Sequence, residues 1–127
     1  MTFFFIGGDA PARVVEQGDD IVVLVAGGEL DYAASPQIRE QLAEQINAGV
    51  RCLVLDLSTV TFIDSTAIGA LAGAAMRLHQ LKGGSLAVVC GEENERVLRI
   101  FEIAGVTNVI TLHRSREEAL SALAGVR

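Results

Sequence analysis

The feature that most constrains this chain is a buried-type strand that turns through a polar corner into a helix of small residues. Leu53-Val54-Leu55-Asp56-Leu57 is a nearly continuous apolar run, the pattern of a strand covered on both faces. Residues 59–63 carry the chain across one edge of the domain, and Asp64-Ser65-Thr66 is the corner. Over 66–82, Ile68, Leu71, Ala75, Leu78 and Leu81 recur at helical spacing, and Gly83-Gly84 stops the helix. Asp64 or Ser65 suits its N-cap, since either side chain can accept from the free amides of the first turn. The side opposite Ile68 and Leu71 presents Thr66, Gly69, Ala70, Gly73, Arg77 and Gln80. A solvated face would carry more Glu and Lys. Glycine inside a helix costs roughly 0.5–1 kcal/mol against alanine. Two of them on one face point to close approach by another molecule or to tight packing within the monomer. Spacing alone leaves both open.

Around this segment the chain alternates strands and helices. Residues 12–16 and 21–26 form a β-hairpin about Gln17-Gly18-Asp19-Asp20. The β-branched run Ile21-Val22-Val23-Leu24-Val25 reads as a central strand. Ser35-Pro36 opens a helix with Ser as N-cap and Ile38, Leu42 and Ile46 as its apolar stripe. A strand over 84–90 follows the central helix. Next comes a helix over 92–104, with Val97, Ile100, Phe101 and Ala104 on one face and Glu92, Glu93 and Glu95 in its first turn. A short strand over 109–112 leads into a last helix, opened by the capping box Ser115-Arg116-Glu117-Glu118 and turning Ala119, Leu120 and Leu123 inward. Strand–helix–strand units impose parallel neighbours joined by right-handed crossovers. The expectation is an α/β fold: a mixed sheet of four or five strands with about four helices packed against it. Residues 12–127 make the domain and 1–11 an extension, whose apolar Phe3-Phe4-Phe5-Ile6 can pack on the domain or add to a sheet edge.

A chain of 127 residues suits one core. A net charge of −6 with a single lysine, Lys82, argues against direct nucleic-acid binding. No window is long enough to span a membrane, and 3–6 is too short for a signal peptide. Cys52 and Cys90 lack metal-ligand spacing and read as buried free thiols of a reducing cytoplasm, too far apart along parallel strands for a disulfide. No phosphate-binding glycine motif follows a strand. His79, on the side of Ala72 and Ala75, reads as partly buried and structural, and His113 as a loop residue. Asp31, Asp56 and Asp64 can converge at one sheet end, where three carboxylates invite a divalent metal, but Asp56 is better read as held by hydrogen bonds. No catalytic residue, metal or cofactor is assigned. Ser65 has no base near it in sequence, as a nucleophile would need. As a phosphoacceptor it needs none, because a kinase supplies it.

Gly28-Glu29-Leu30-Asp31, Leu53-Val54-Leu55-Asp56-Leu57 and Phe62-Ile63-Asp64-Ser65-Thr66-Ala67-Ile68-Gly69 resemble the bacterial anti-sigma-factor antagonists of the STAS-domain family. Glu102-Ile103-Ala104-Gly105-Val106 resembles the family's segment after its third helix. The resemblance implies a non-enzymatic, cytoplasmic partner switch. Members bind an anti-sigma factor that is also a serine kinase and so release the sigma factor. The kinase phosphorylates the serine after the aspartate, here Ser65, and a PP2C-type phosphatase reverses this. Asp31 matches the acidic residue beside the docking surface, and Ala67 stands where the family usually has glycine. The partner surface expected here is Asp31, Asp64, Ser65, Thr66, Gly69, Ala70 and Gly73. The alternative is a ligand-sensing or transport-accessory STAS domain that works without phosphorylation.

Overall fold

The computed structural model of the protein describes residues 4–5, 12–17 and 21–126. In chain order they form β1 (Phe4–Phe5), β2 (Ala12–Gln17), β3 (Ile21–Leu30), α1 (Ser35–Asn47), β4 (Cys52–Ile63) and α2 (Ser65–His79). Then come β5 (Ser85–Val89), a 3-10 turn (Glu92–Asn94), α3 (Glu95–Ala104), β6 (Ile110–His113) and α4 (Arg116–Val126). The strands make one sheet in the order β1-β2-β3-β4-β5-β6. The β1–β2 and β2–β3 pairings are antiparallel, and those from β3 to β6 are parallel. This is the mixed sheet with four helices that the alternation of elements requires, with six strands where four or five were expected because the short β1 pairs at its edge. Of the N-terminal patch, Phe4 and Phe5 pair at the sheet edge, Phe4 opposite Val14 and Phe5 opposite Arg13. The rest of the 1–9 segment and the hairpin turn at 18–20 lie outside the described residues.

The apolar strands are continuous because both faces are covered. Val22, Leu24, Leu53, Leu55, Leu57, Leu86 and Val88 meet Ile38, Leu42 and Ile46 of α1, Ile68, Leu71 and Leu78 of α2, and Val97 and Phe101 of α3. The alternate residues, Val23, Cys52, Val54, Ala87 and Val89, point the other way and meet Ala119 and Leu123 of α4. Three helices thus cover one face and α4 packs on the other. Cys52 opens β4 opposite Ser85, whereas Cys90 follows the end of β5; both are buried free thiols. Burial pushes the Cys90 thiol up, which keeps it protonated and inert.

Several local readings change. β3 and β4 run on past 26 and 57: Gly27, Gly28, Glu29 and Leu30 stay paired with Thr59, Val60, Phe62 and Ile63. Register shifts interrupt this ladder between Val25 and Gly27 and between Gly28 and Glu29. Gly28 has φ +72°, a conformation that favours glycine, and a Cβ on Gly27 would lie 3.0 Å from Thr59 Oγ1, which would have to give way. Gly27 and Gly28, beyond the end expected for this strand at 26, lie at the two register shifts of the continuing ladder.

Ser35 does not cap α1; the N-cap is Ala34, without a side-chain bond. Ser35 is buried and donates to Asp31 O at 3.2 Å. Glu92 and Glu93 precede α3 in the 3-10 turn, and Ala104 is exposed. His79 is exposed, with Nε2 3.0 Å from Val109 O. His113 ends β6 rather than lying in a loop. Ser115 caps as expected, accepting from Glu118 N at 3.0 Å.

Asp56 is the one charged residue in the buried set, 6% exposed, and it faces α4. Its Oδ1 accepts from Ser58 N at 2.9 Å and Ser58 Oγ at 2.6 Å, and its Oδ2 from Arg116 Nε at 2.7 Å. Burial pushes this carboxyl up, but the bonds from Ser58 and Arg116 outweigh it and hold the group below its ordinary value. Asp56 therefore ties α4 to β4, as the hydrogen-bonded reading has it. A carboxylate lowered on folding stabilises above its unfolded value near about 4, and that stability is lost as pH falls through the folded value. Asp56→Ala should cost about 1–3 kcal/mol at pH 7 and flatten the acid limb of the stability curve in urea titrations between about pH 5 and 2. An unchanged midpoint at neutral pH would show that the tether contributes nothing.

Candidate functional site

The site is built by the last rungs of the β3–β4 ladder. Leu30 pairs with Ile63, and Asp64 N donates to Leu30 O at 3.1 Å. The two strands therefore end side by side, and a helix starts from each. At the end of β3, Asp31 Oδ1 accepts from the amides of Ala33 and Ala34, both at 3.1 Å, and so fixes the turn into α1. At the end of β4, Asp64 is extended (φ −111°, ψ 176°) and caps α2 by accepting from Ala67 N at 3.0 Å. Of the two N-cap candidates it is Asp64, and Ser65 becomes the first helical residue.

Ser65 and Thr66 are exposed at this corner. Asp64 and Asp31 are half-buried beside them, their carboxylates engaged by backbone. Among the described residues no group of three His, Cys, Asp or Glu is placed to hold a metal ion. Asp56 lies on the α4 face of the sheet, bound to Arg116, so the three aspartates do not converge. His79 closes α2 at its far end, 14 residues from Ser65 and hence about 21 Å along the axis. No imidazole on this helix can serve the Ser65 hydroxyl.

Two features were missed. Tyr32 is 73% exposed in the turn after Asp31, and Phe62 is 47% exposed two residues before Asp64. Large aromatics at loop and outward strand positions were the available signal, in a chain with six aromatics in all. Both are exposed aromatics within three residues of Asp31 or Asp64, of the residue type that anchors protein interfaces.

The helix face below Ser65 also needs correction. Gly69 and Gly73 are exposed, but Ala70 is 3% exposed and does not belong to the bare surface. It turns toward α1 and lines a groove of about 330 Å³ between the two helices. Ala43 and Ile46 of α1 and Gly69, Gly73 and Ala74 of α2 complete the apolar lining, with Arg39 and Arg77 as its charged residues. A Cβ built on Gly69 or Gly73 meets nothing within 4 Å. The packing explanation for these glycines therefore fails, because nothing in the monomer excludes a methyl there. Ala67, by contrast, is 0% exposed, so its methyl is absorbed by the core and cannot touch a docked partner.

The family model described as STAS domain matches residues 12–119. The chain is 32% identical over 101 residues to the anti-sigma-B factor antagonist of Listeria monocytogenes, covering 79% of this chain and 85% of that protein. In structure it is similar to an anti-sigma factor antagonist from Mycobacterium paratuberculosis, with a TM-score of 0.76, 24% identity, and 92% of this chain and 97% of that one covered. It is also similar to the Bacillus cell fate determinant SpoIIAA in its phosphorylated form, with a TM-score of 0.63, 21% identity and coverage of 88% and 98%. The two structural likenesses establish a shared fold.

Asp64→Ala should cost about 1 kcal/mol by leaving the Ala67 amide without its cap, while Asp64→Ser should recover most of it. Thermal melts of the two variants decide this. Equal loss in both would mean that the hydrogen bond is not the source of the effect.

Proposed function

Because the chain belongs to the STAS-domain family of anti-sigma-factor antagonists, we propose that it is an anti-anti-sigma factor switched at Ser65. It binds an anti-sigma factor that is also a serine kinase, and that binding releases the sigma factor. The kinase moves the γ-phosphoryl group of ATP to Ser65 Oγ; the hydroxyl proton goes to the kinase's base and ADP leaves. A PP2C-type phosphatase hydrolyses the phosphoserine and restores the hydroxyl. The observation that carries this reading is the placement of Ser65: exposed, first in its helix and next to a capping aspartate. A protein of the same fold, the Bacillus determinant, exists in a phosphorylated form.

Two opposite effects of one phosphate make this a switch. A phosphate adds about −1.5 to −2 charges at neutral pH. At the start of α2 that charge meets backbone amides that no turn of helix satisfies and the positive end of the helix dipole, so the fold tolerates it. A partner pressed against the corner removes its water instead. A dianion desolvated beside the Asp64 carboxylate is then costly, and the complex dissociates. Asp31 contributes by holding the neighbouring turn rather than by offering a free charge.

Ser65→Ala should bind the kinase and accept no phosphate, while Ser65→Asp should bind at least tenfold more weakly, about 1.4 kcal/mol. Thr66 is the rival acceptor, as the adjacent exposed hydroxyl. Phosphopeptide mapping after incubation with the kinase decides between them. Label confined to Thr66, or full binding by the phosphorylated protein, would refute the switch.

A further inference from the structure

We propose that the α1–α2 groove is a second docking site of the same partner, and that it takes an amphipathic helix of the anti-sigma factor. That helix carries small apolar residues on one face and carboxylates about two turns apart. The inference rests on the partner reading above, but makes its own claim about where and how the partner is held.

Three observations lead to the occupant. The first is steric. Gly69 and Gly73 sit inside α2, exposed, in positions where a methyl would meet nothing of this chain. Helical glycine is unfavourable against alanine, so the monomer gains nothing from them. They leave α2 bare where Ala43, Ala70 and Ala74 also offer no more than a methyl. Such a floor lets another backbone come close, as a packed helix does.

The second is electrostatic. The protein carries net charge −6, yet both ionisable residues lining the groove are arginines, Arg39 and Arg77. No acid lines it. Arg39 lies in the second turn of α1, five residues into the helix, and Arg77 in the last turn of α2. Both helices return from parallel strands, so they run the same way and the two cations mark opposite ends of the groove. Arg77 bonds to Asn47, and each is the thirteenth residue of its helix. Arg39 is correspondingly level with Gly69. The eight steps from Gly69 to Arg77 span about 12 Å, or two helical turns. The complementary ligand is apolar in the middle and acidic at both ends, and guanidinium forks suit carboxylates.

The third is continuity. Gly69 lies one turn below Ser65 on α2. A partner that places its kinase site over Ser65 necessarily covers the upper groove. The occupant also adds grip to an interface whose corner alone is small.

The test uses the full chain and the kinase that labels Ser65. Gly69→Ala and Gly73→Ala should each raise the melting temperature by about 3 °C, because the methyl is free of clashes and favours helix. Each should weaken kinase binding about tenfold or more, because the methyl meets the docked helix. Arg39→Glu and Arg77→Glu should weaken binding to a similar degree, with a loss that shrinks at high salt, while Arg39→Lys should retain most of the affinity. Unchanged affinity in the glycine variants and the charge reversals would overturn the groove and leave the Ser65 switch intact.

A second arm needs no kinase, so it still decides if the wild-type protein binds none and the partner reading falls. A synthetic helical peptide with an Ala/Leu face and glutamates eight residues apart is titrated into the 15N-labelled chain. A lysine version of the peptide is the control. Shifts at Gly69 and Gly73 with the glutamate peptide alone support the proposal. Shifts with both peptides, or with neither, refute it. A wild-type dimer in sedimentation that Gly73→Ala dissolves would assign the groove to a second copy of this chain and overturn it as well.

Discussion

The parallel ladder between β3 and β4 is the constraint on which the rest depends. It is the longest pairing in the sheet, running from Ile21 opposite Cys52 to Leu30 opposite Ile63. β5 accompanies β4 only as far as Asp56, opposite Val89. Beyond that point β4 has β3 on one side and, on the other, the Asn94 side chain, whose Nδ2 donates to Leu57 O at 3.0 Å and Val60 O at 2.8 Å. The amide group stands in for a missing strand and satisfies carbonyls that would otherwise be orphaned. At each of the two register shifts β4 takes one residue more than β3, and the pairing then resumes to its end. There the bond from Asp64 N to Leu30 O sets the starts of α1 and α2 side by side. Corner and groove both follow from that single rung.

A site made this way is rigid, and that suits a switch run by charge. The strands leading to it are buried from Val22 to Leu24 and from Cys52 to Leu57, the turn into α1 is pinned by Asp31 and the start of α2 by Asp64. Nothing in this arrangement needs to move for the hydroxyl of Ser65 to be offered or for its phosphate to be tolerated. On the switch proposed here, phosphorylation would change the cost of removing water from the surface, and binding would be decided by desolvation and repulsion at the corner rather than by refolding. The α4 face carries its own polar tether in Asp56 and Arg116, across the sheet from the groove.

Much of the fold was legible because alternation of elements is a short-range signal. Ile38, Leu42 and Ile46, the run from Leu53 to Leu57, and the stripe Ile68, Leu71, Ala75 and Leu78 all declared their period, and all are buried. The corner was legible too, since Asp64-Ser65-Thr66 is contiguous. Misreadings arose where two distant segments meet. The strand expected to end at 26 continues because Gly27 pairs with Thr59, 32 residues away. Ser35 looked like a cap because the bond that draws its hydroxyl inward goes to Asp31 O. Ala70 shares a helical face with Gly69 and Gly73 on paper, but α1 packs beside that face, so one is buried and the others are not. The pairing of Arg39 with Arg77 across a groove has no sequence signature at all, because it depends on how two helices lie against each other.

The central claim is that Ser65 changes the surface without changing the fold. Placing phosphoserine at position 65 during translation removes the need for any kinase, and comparing 15N-labelled protein with and without it tests the claim directly. Backbone shifts should change at residues 64–69 and in the turn at 31–34, while the strand amides at 53–57 and 86–89 keep their positions and their slow hydrogen exchange. Loss of exchange protection or widespread shifts in those strands would contradict the account, because the phosphate would then be acting through the fold rather than on the surface.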